Sequence, residues 1–280
     1  MRRVTFSIVA RSADGTTYGV AVASKFLAVG AVVPAAAAGV GALATQAWAN
    51  LAYRRDGMAL LGEGRSARET VDILVAADEQ AADRQLGVVD AHGGSATYTG
   101  STCLSWAGGV HGDGYAIQGN ILTGPDVVEA MERAWLATDE GAPFARRLLA
   151  VIAAGDRAGG DARGRQSAAV YVVTPEGGYG GGSDVLVDLR VDDHADPVPE
   201  LERLLDIHEM LFGRPDPDTC LPLEGPLAAE VAERLSRVGH EQDPVEAALA
   251  SWAGVENLEE RLVPGRIDPL VLEHLRLLTR

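Results

Sequence analysis

Thr5 and Lys25 are the residues whose types and positions best fit a hydrolytic site in this chain. A threonine with a free α-amino group is a self-contained catalyst, because its hydroxyl attacks a carbonyl while its amine accepts a proton near neutral pH. Lys25 is the only lysine in the sequence. Its ammonium group would disfavour protonation of a nearby amine and stabilise developing negative charge. The competing interpretation is that a bias toward arginine left one lysine by chance.

The residue that faces Thr5 depends on the turn of a predicted hairpin. Two strand-like arms within residues 5–25 flank an Asp-Gly turn at Gly15. A shift of one residue exchanges the two faces of a strand, so the length of the turn matters. An odd-numbered turn pairs Thr5 with Lys25, whereas a two-residue turn pairs Thr5 with Ser24. The catalytic hypothesis for Lys25 requires the first of these registers.

Four residues precede Thr5, so a free amine at this position requires their removal. A bulky residue such as Arg2 normally blocks removal of the initiator methionine. Two routes remain: cleavage of the bond between Val4 and Thr5, or initiation at the codon of Val4 followed by loss of methionine. Either route predicts a mature chain that begins at Thr5. If the terminus stays blocked, the chain is instead expected to be a non-catalytic binding or assembly protein.

Several polar residues are candidates for contacting a substrate. A glycine-rich segment before a predicted buried strand carries Arg163, Arg165 and Gln166, and arginine forks suit carboxylates. The alternative is a surface loop whose charges neutralise one another. Ser24 is a further predicted substrate-binding residue, and Asn120 is a candidate amide donor to an oxyanion. A turn asparagine is the other interpretation of Asn120.

Metal chemistry receives little support from the sequence. Asp192, Asp193 and His194 form one adjacent cluster, but no spaced set of further ligands accompanies it. A metal-assisted hydrolase is therefore the third hypothesis, and the site is predicted to hold no metal and no cofactor.

The composition limits the possible partners. The formal net charge is −16, which argues against binding to nucleic acids or anionic membranes. Cys103 and Cys220 are too few and too far apart for a disulfide framework. The uncharged stretch 26–53 is better explained by strands buried on both faces than by a membrane span. We expect a cytoplasmic protein without a secretory signal, which forms a homo-oligomer and acts on a small molecule.

The pattern of elements predicts an α+β fold. Strands come first, then helices, strands and again helices, which suggests two sheets between two helical layers. A capping box, in which Ser66 precedes Glu69, marks the start of one helix. A proline-rich segment near residue 214 separates a domain of residues 1–212 from an all-helical module of residues 213–280.

Together these features resemble an uncharacterised bacterial family, a domain of unknown function with a proteasome-like N-terminal-nucleophile (Ntn) hydrolase fold. The stretches that carry the resemblance are Thr5–Arg11, Gly19–Gly30, Gln118–Asn120, Arg163–Ser167 and Asp188–His194. The segment Glu256–Arg261 is similar to part of a family of helical modules named for peptidoglycan binding.

The resemblance implies a four-layer αββα sandwich and hydrolysis of a non-peptide C–N bond by Thr5. The sequence departs from proteasome-type catalysis, because Ala23 occupies the position of the usual acidic residue and the following strand has no lysine. The leading hypothesis is an Ntn amide hydrolase acting on a small linear amide or ureide. In it Thr5 is nucleophile and base, Lys25 tunes the amine, Asn120 supports the oxyanion, and Arg163 or Arg165 holds a substrate carboxylate.

Overall fold

The computed structural model of this protein describes residues 5–280, so the predicted cleavage point before Thr5 lies outside the described residues. The strands are β1 Thr5–Arg11, β2 Tyr18–Ser24, β3 Pro34–Ala37, β4 Gly41–Ala47, β5 Arg84–Asp90, β6 Ser95–Thr99, β7 Trp106–Gly112, β8 Tyr115–Leu122, β9 Ser167–Val173, β10 Val185–Val191, β11 Leu221–Pro222 and β12 Arg266–Ile267. The helices are α1 Ala52–Gly62, α2 Ala67–Ala76, α3 Asp126–Ala137, α4 Phe144–Arg157, α5 Pro197–Phe212, α6 Gly225–Arg237, α7 Val245–Glu256 and α8 Pro269–Leu278.

The chain divides into two compact units. The first extends to Leu205 and the second comprises Asp206–Arg280. The division falls within α5, whereas the sequence placed the boundary after this helix, between residues 212 and 213. Within residues 5–280, no helix combines the length and the apolar character needed to cross a membrane.

The first unit contains two antiparallel sheets, and the fold is a mixed α+β fold as predicted. The larger sheet has the strand order β10-β9-β2-β1-β8-β7, and the smaller has the order β3-β4-β5-β6. Helices α3 and α4 pack on the larger sheet, and α1 and α2 pack on the smaller one. A third apolar cluster, with members from both sheets, fills part of the space between them.

Strand β1 shows why the first sheet needs apolar residues on both faces. Phe6 and Ile8 point toward α3 and α4, while Val9 points toward the second sheet. A strand covered on both sides reads as a continuous apolar run instead of a strict alternation.

The predicted helix start at Ser66 is also confirmed, because its hydroxyl accepts from the backbone N–H of Glu69 and the two residues form a capping box.

The hairpin of β1 and β2 has the register that places Thr5 opposite Ser24. Phe6 pairs with Ala23, and the turn runs from residue 12 to residue 17. This turn is longer than the two-residue alternative, but it also contains an even number of residues and so preserves the same faces. The register that pairs Thr5 with Lys25 is wrong, because β2 ends at Ser24 and Lys25 is exposed beyond it.

The second unit is built mainly from α6, α7 and α8 around a core that includes Trp252 and Leu258. The prediction of an all-helical module is wrong in one respect, because β11 and β12 form a short antiparallel ribbon. Leu270 lies outside this core and is 48% exposed. It follows Pro269 in the first turn of α8, whose buried side chains include Val271 and Leu272.

Candidate active site

Thr5 begins β1 at one end of the space between the two sheets. It lies between β2 and β8, and it is only 4% exposed. The Thr5 hydroxyl donates a hydrogen bond to the hydroxyl of Ser24 at 3.3 Å. Ser24 itself is 2% exposed. The fold therefore holds the hydroxyl of Thr5 in a fixed position at the end of a strand.

Two side-chain amides hold the backbone carbonyl of Thr5. Gln46 donates from Nε2 at 3.3 Å, and Asn120 donates from Nδ2 at 3.4 Å. Gln46 lies on β4 of the smaller sheet, whereas Asn120 lies on β8 directly opposite Thr5 in the larger sheet. The start of β1 is thus held from both sheets.

These two amides belong to a buried polar cluster that we call the amide network. Its members are at most 1% exposed: Ser7, Gln46, Gln85, Gln118 and Asn120. Gln85 is its centre, because its Oε1 accepts from Gln46 Nε2 and from Asn120 Nδ2, both at 2.8 Å. The Ser7 hydroxyl donates to Gln46 Oε1 at 2.7 Å and accepts from Gln118 Nε2 at 2.6 Å. A network of this kind fixes geometry more strictly than apolar packing does.

The predicted role of Asn120 as an oxyanion donor meets a competing task. The sequence suggested that Asn120 lies in a turn after a strand, but it lies within β8. Its N–H groups already donate to Gln85 and to the carbonyl of Thr5. Within residues 5–280 its buried Oδ1 has no hydrogen-bond partner. The geometry therefore gives Asn120 a positioning task, and its contact with an oxyanion stays a prediction.

Strained backbone marks the same end of the sheets. Ala47, at the end of β4, has φ 64°, and Ile121, next to Asn120 on β8, has φ 47°. A positive φ is a genuine outlier for a β-branched residue such as isoleucine. Strain of this kind is stored preferentially at functional sites. It is an independent pointer to the end of the molecule that contains Thr5.

Two cavities are lined by direct neighbours of Thr5, although Thr5 itself lines neither of them. The first, of about 400 Å³, is lined by Ser24 together with Phe6, Ala23, Asp156, Arg157, Gly159, Asp161, Gly164, Arg165, Ala195 and Pro197. The second, of about 330 Å³, is lined by Asn120 together with Ala47, Trp48, Asp83, Thr102, Cys103, Leu104 and Ile121. Each cavity is large enough for a small ligand.

Cys103 is a second side chain with nucleophilic potential in this region. Burial raises the pKa of its thiol above the ordinary value. The thiolate is the reactive form of cysteine, so a raised pKa leaves this group protonated and unreactive at neutral pH. The environment of Cys103 is that of a structural thiol.

Lys25 does not lie beside Thr5. It lies beside the loop between α4 and β9, part of which lines the first cavity. Its ammonium group donates to the backbone carbonyl of Arg165 at 3.1 Å, and its backbone N–H donates to Asp161 Oδ2 at 2.6 Å. These contacts connect the end of β2 to the segment before β9. The expectation that Lys25 faces Thr5 is therefore wrong, and its contacts are those of a residue that braces a loop.

The arginines predicted to hold a carboxylate are already paired with aspartates. Arg163 contacts Asp161 at 3.1 Å, and the carboxylate of Asp161 is almost completely buried. Arg165 contacts Asp156 at 2.7 Å and Asp196 at 3.2 Å. The hydrogen bond from Arg165 to Asp156 raises the pKa of this guanidinium further. These pairs are what the self-neutralising interpretation of the loop predicts.

Gln166 and the possible metal cluster also have partners in the protein. Gln166 Nε2 donates to Asp193 Oδ1 at 3.0 Å, and its backbone N–H donates to the carbonyl of Ser24. His194 Nδ1 accepts from the backbone N–H of Asp196. The described part of the chain, residues 5–280, contains no group of three His, Cys, Asp or Glu side chains arranged to hold a metal.

The amide network was missed in the sequence. The signal was present, because Gln46 lies in the uncharged strand Gly41–Ala47 and Gln85 is followed directly by the stretch Leu86–Val89, which has no polar side chain. Buried polar side chains require partners, so a glutamine in a strand buried on both faces indicates a second polar residue across the sheet or between sheets. The identity of that partner is a tertiary contact that spacing does not give.

Comparisons with known proteins agree with the two-part organisation. Residues 5–201 match the model of a family described as "Family of unknown function (DUF1028)", and residues 211–275 match a model described as "Putative peptidoglycan binding domain". The crystal structure of a Silicibacter pomeroyi protein, described under the family model DUF1028, is 29% identical, with a TM-score of 0.66. The match covers 81% of this chain and 93% of that one. No curated protein matches the chain.

The first match confirms the predicted membership in a family of unknown function, and the second confirms the predicted resemblance of the C-terminal module. The match to the family model covers well over half of the chain and begins at Thr5. The chain therefore belongs to the DUF1028 family.

Proposed function

We propose that this protein is an Ntn-type amide hydrolase that acts on a non-peptide C–N bond of a small linear amide or ureide. The observation that carries the proposal is the position of Thr5, which is buried at the start of β1 beside Ser24 and Asn120, each of which lines a cavity. The packing of α3 and α4 on one sheet and of α1 and α2 on the other supports an αββα sandwich of the Ntn type.

The chemistry requires a chain that begins at Thr5. The α-amine then accepts the proton of the Thr5 hydroxyl while the hydroxyl oxygen attacks the substrate carbonyl. The tetrahedral intermediate collapses to an ester on Thr5, and the leaving nitrogen takes the proton from the amine. Water then attacks the ester with the same amine as base, which releases the acid and restores the hydroxyl.

The contacts of Thr5 support this assignment in two ways. Ser24 accepts a hydrogen bond from the nucleophilic hydroxyl and so restricts its orientation. The amide network holds the carbonyl of Thr5 through Gln46 and Asn120 and so fixes the backbone at this residue. A fixed nucleophile reduces the entropic cost of reaching the transition state. Lys25 is not needed as a direct neighbour of the amine in this arrangement.

The proposal is tested by intact mass and by substitution of Thr5. Intact mass of the protein from its native host is expected to show a chain that starts at Thr5. A panel of linear amides and ureides should then reveal turnover, which Thr5→Ala should reduce by at least about a thousandfold and Thr5→Ser should retain in part. Activity in a preparation that retains residues 1–4, or full activity of Thr5→Ala, would overturn the proposal.

A non-catalytic member of the same family is the alternative, and the same measurements separate the two. A blocked terminus together with no turnover of any panel compound would favour a binding or assembly function.

Substitutions of Lys25 distinguish a role in holding the loop from a role in tuning the amine. Because its ammonium contacts a loop carbonyl, Lys25→Arg and Lys25→Met should both change loop stability more than the pH dependence of turnover.

The predicted cytoplasmic location, the homo-oligomer and the lack of a cofactor are part of this proposal. The homo-oligomer has one supporting feature, which is the edge strand β7. Residues Trp106–Gly112 include no Asp, Glu, Lys or Arg, although the chain has a net charge of −16. Uncharged edge strands offer unpaired backbone groups to a second strand. Sedimentation of the protein in solution would test this point.

A further inference from the structure

The first cavity is lined by one arginine whose side chain forms no ion pair within residues 5–280. Arg157 is exposed and lines the cavity near Ser24. Among residues 5–280 its side chain makes no hydrogen bond and no ion pair, whereas Arg163 and Arg165 both contact aspartates. An unpaired guanidinium keeps its full capacity to form a bidentate contact with a carboxylate.

The local backbone fixes where the main chain of Arg157 lies. Arg157 is the last residue of α4, and the chain then turns sharply through glycines. Gly159 has φ 116°, and a Cβ atom there would lie 2.4 Å from Thr123 Oγ1. Only glycine fits both the backbone conformation and the close contact. The turn therefore holds the end of α4, and with it Arg157, at the wall of the cavity.

The charges around the cavity favour an anionic ligand group at Arg157. Asp156 and Asp196 are occupied by Arg165, and Asp161 is occupied by Arg163 and by the backbone N–H of Lys25. These carboxylates are therefore compensated by protein groups. Arg157 is the cavity arginine that an incoming anion can reach without displacing an aspartate.

We propose that the first cavity is a subsite for a carboxylate-bearing ligand and that Arg157 binds the carboxylate. This assignment moves the predicted carboxylate contact away from Arg163 and Arg165. It rests on the proposed function in one respect, which is that the ligand is a substrate whose amide or ureide carbonyl extends toward Thr5. The volume of about 400 Å³ restricts the ligand to a small molecule.

The experiment measures binding without turnover, so that it is independent of the catalytic proposal. The Thr5→Ala protein is titrated calorimetrically with N-carbamoylglycine and, as a neutral counterpart, with N-carbamoylglycinamide. We expect the carboxylate to bind at least about tenfold more tightly than the amide. Adding Arg157→Gln should remove this preference, and Arg157→Lys should restore part of it because the positive charge returns.

Two comparisons decide where the carboxylate binds. Arg133→Gln removes an exposed arginine of α3 that does not line the cavity, and it should leave both affinities unchanged. Arg165→Gln should lower the melting temperature by breaking two ion pairs but keep the preference for the carboxylate. Loss of the preference in Arg165→Gln but not in Arg157→Gln would overturn the assignment. Equal binding of the two compounds to the Thr5→Ala protein that retains Arg157 would also overturn it, whether or not Thr5 proves catalytic.

Discussion

The space between the two sheets has an apolar half and a polar half, and the polar half is where Thr5 lies. The apolar half is formed by Val9, Val20, Val22, Ala42, Ala44 and Val89. The polar half is the amide network of Ser7, Gln46, Gln85, Gln118 and Asn120. Both halves are almost completely inaccessible to solvent. The two regions thus solve the same packing problem with opposite chemistry.

The difference shows that the polar half is not there for stability alone. Apolar side chains in this layer would be stabilised by burial without any need for partners. A buried amide gains little net free energy from its hydrogen bonds and costs free energy for each group left unpaired. In return the network fixes directions, and it fixes the carbonyl of Thr5 through Gln46 and Asn120. The end of the molecule with the candidate nucleophile is therefore the end with directional contacts.

The largest expected effect is that of Gln85→Leu. This change removes the acceptor shared by Gln46 and Asn120 and the donor to the backbone carbonyl of Gly119. Several buried groups then lose partners, and we expect the free energy of unfolding to fall by about 3–4 kcal/mol. Turnover should fall by more than the loss of folded protein explains, because the anchoring of Thr5 is disturbed. Chemical denaturation together with rates normalised to folded protein would measure both effects.

Val20→Ala is the matched change in the apolar half. It should lower the free energy of unfolding by about 2 kcal/mol through lost burial and a small cavity. The normalised rate should stay the same, because Val20 lies opposite Val9 and Tyr171, which are not members of the amide network. If Val20→Ala lowered the normalised rate as much as Gln85→Leu, the functional distinction between the two halves would be lost.

Gly87→Ala tests the network without removing any polar group. A Cβ atom at Gly87 would lie 2.0 Å from Gln118 Oε1. The amide of Gln118 would have to move and would lose its bond to Ser7. We expect a loss of about 2–3 kcal/mol, the range for overpacking of a well-packed interior. Thermal or chemical unfolding would measure it.

Gly62→Ala is the control for this substitution. A Cβ atom at Gly62, at the end of α1, would meet only Val40, at 4.0 Å. Here alanine should raise the free energy of unfolding by up to about 1 kcal/mol, because glycine is the poorer helix residue. A similar loss at both glycines would mean that the contact with Gln118 does not matter.

The sequence predicted the arms of the first hairpin but not the polar half of the layer. Thr5–Arg11 and Tyr18–Ser24 follow from local apolar patterning, which strands show without reference to the rest of the chain. The pairing of Thr5 with Ser24 required the length of a turn, which local patterning left open. The bond between Gln46 and Gln85 joins residues 39 positions apart. Such a contact depends on how β4 and β5 pair, and that is a property of the folded sheet.

The loop that carries Arg163 and Arg165 shows the same division between local and tertiary information. Both interpretations of Arg163 and Arg165 were compatible with the sequence. The sequence contains aspartates that could neutralise these arginines, but it does not give the positions of those aspartates in the folded chain. Asp196 lies 31 residues after Arg165 and still pairs with it. The unpaired Arg157 could be recognised only after the partners of the other two arginines were known.

A further expected effect concerns an ion pair next to the polar half, and it depends on pH. Arg84 begins β5 and contacts Asp78 at 2.9 Å, with both side chains at most 10% exposed. The hydrogen bond from Arg84 holds the pKa of Asp78 well below its ordinary value. The folded protein therefore binds fewer protons at Asp78 than the unfolded chain does. The resulting stabilisation is present above about pH 4 and is lost as the pH falls further.

Asp78→Asn should lower the free energy of unfolding by only about 1–2 kcal/mol at neutral pH, because Arg84 keeps its bonds to the carbonyl of Trp48 and to Gln80. The difference between Asp78→Asn and the unsubstituted protein should shrink as the pH is lowered from 6 toward 3, since the carboxylate becomes protonated. The deficit of Gln85→Leu should stay constant over the same range, because amides do not titrate. Unfolding curves at a series of pH values would separate the two. A deficit of Gln85→Leu that followed pH as that of Asp78→Asn does would show that the network is held by the neighbouring charges and not by its own hydrogen bonds.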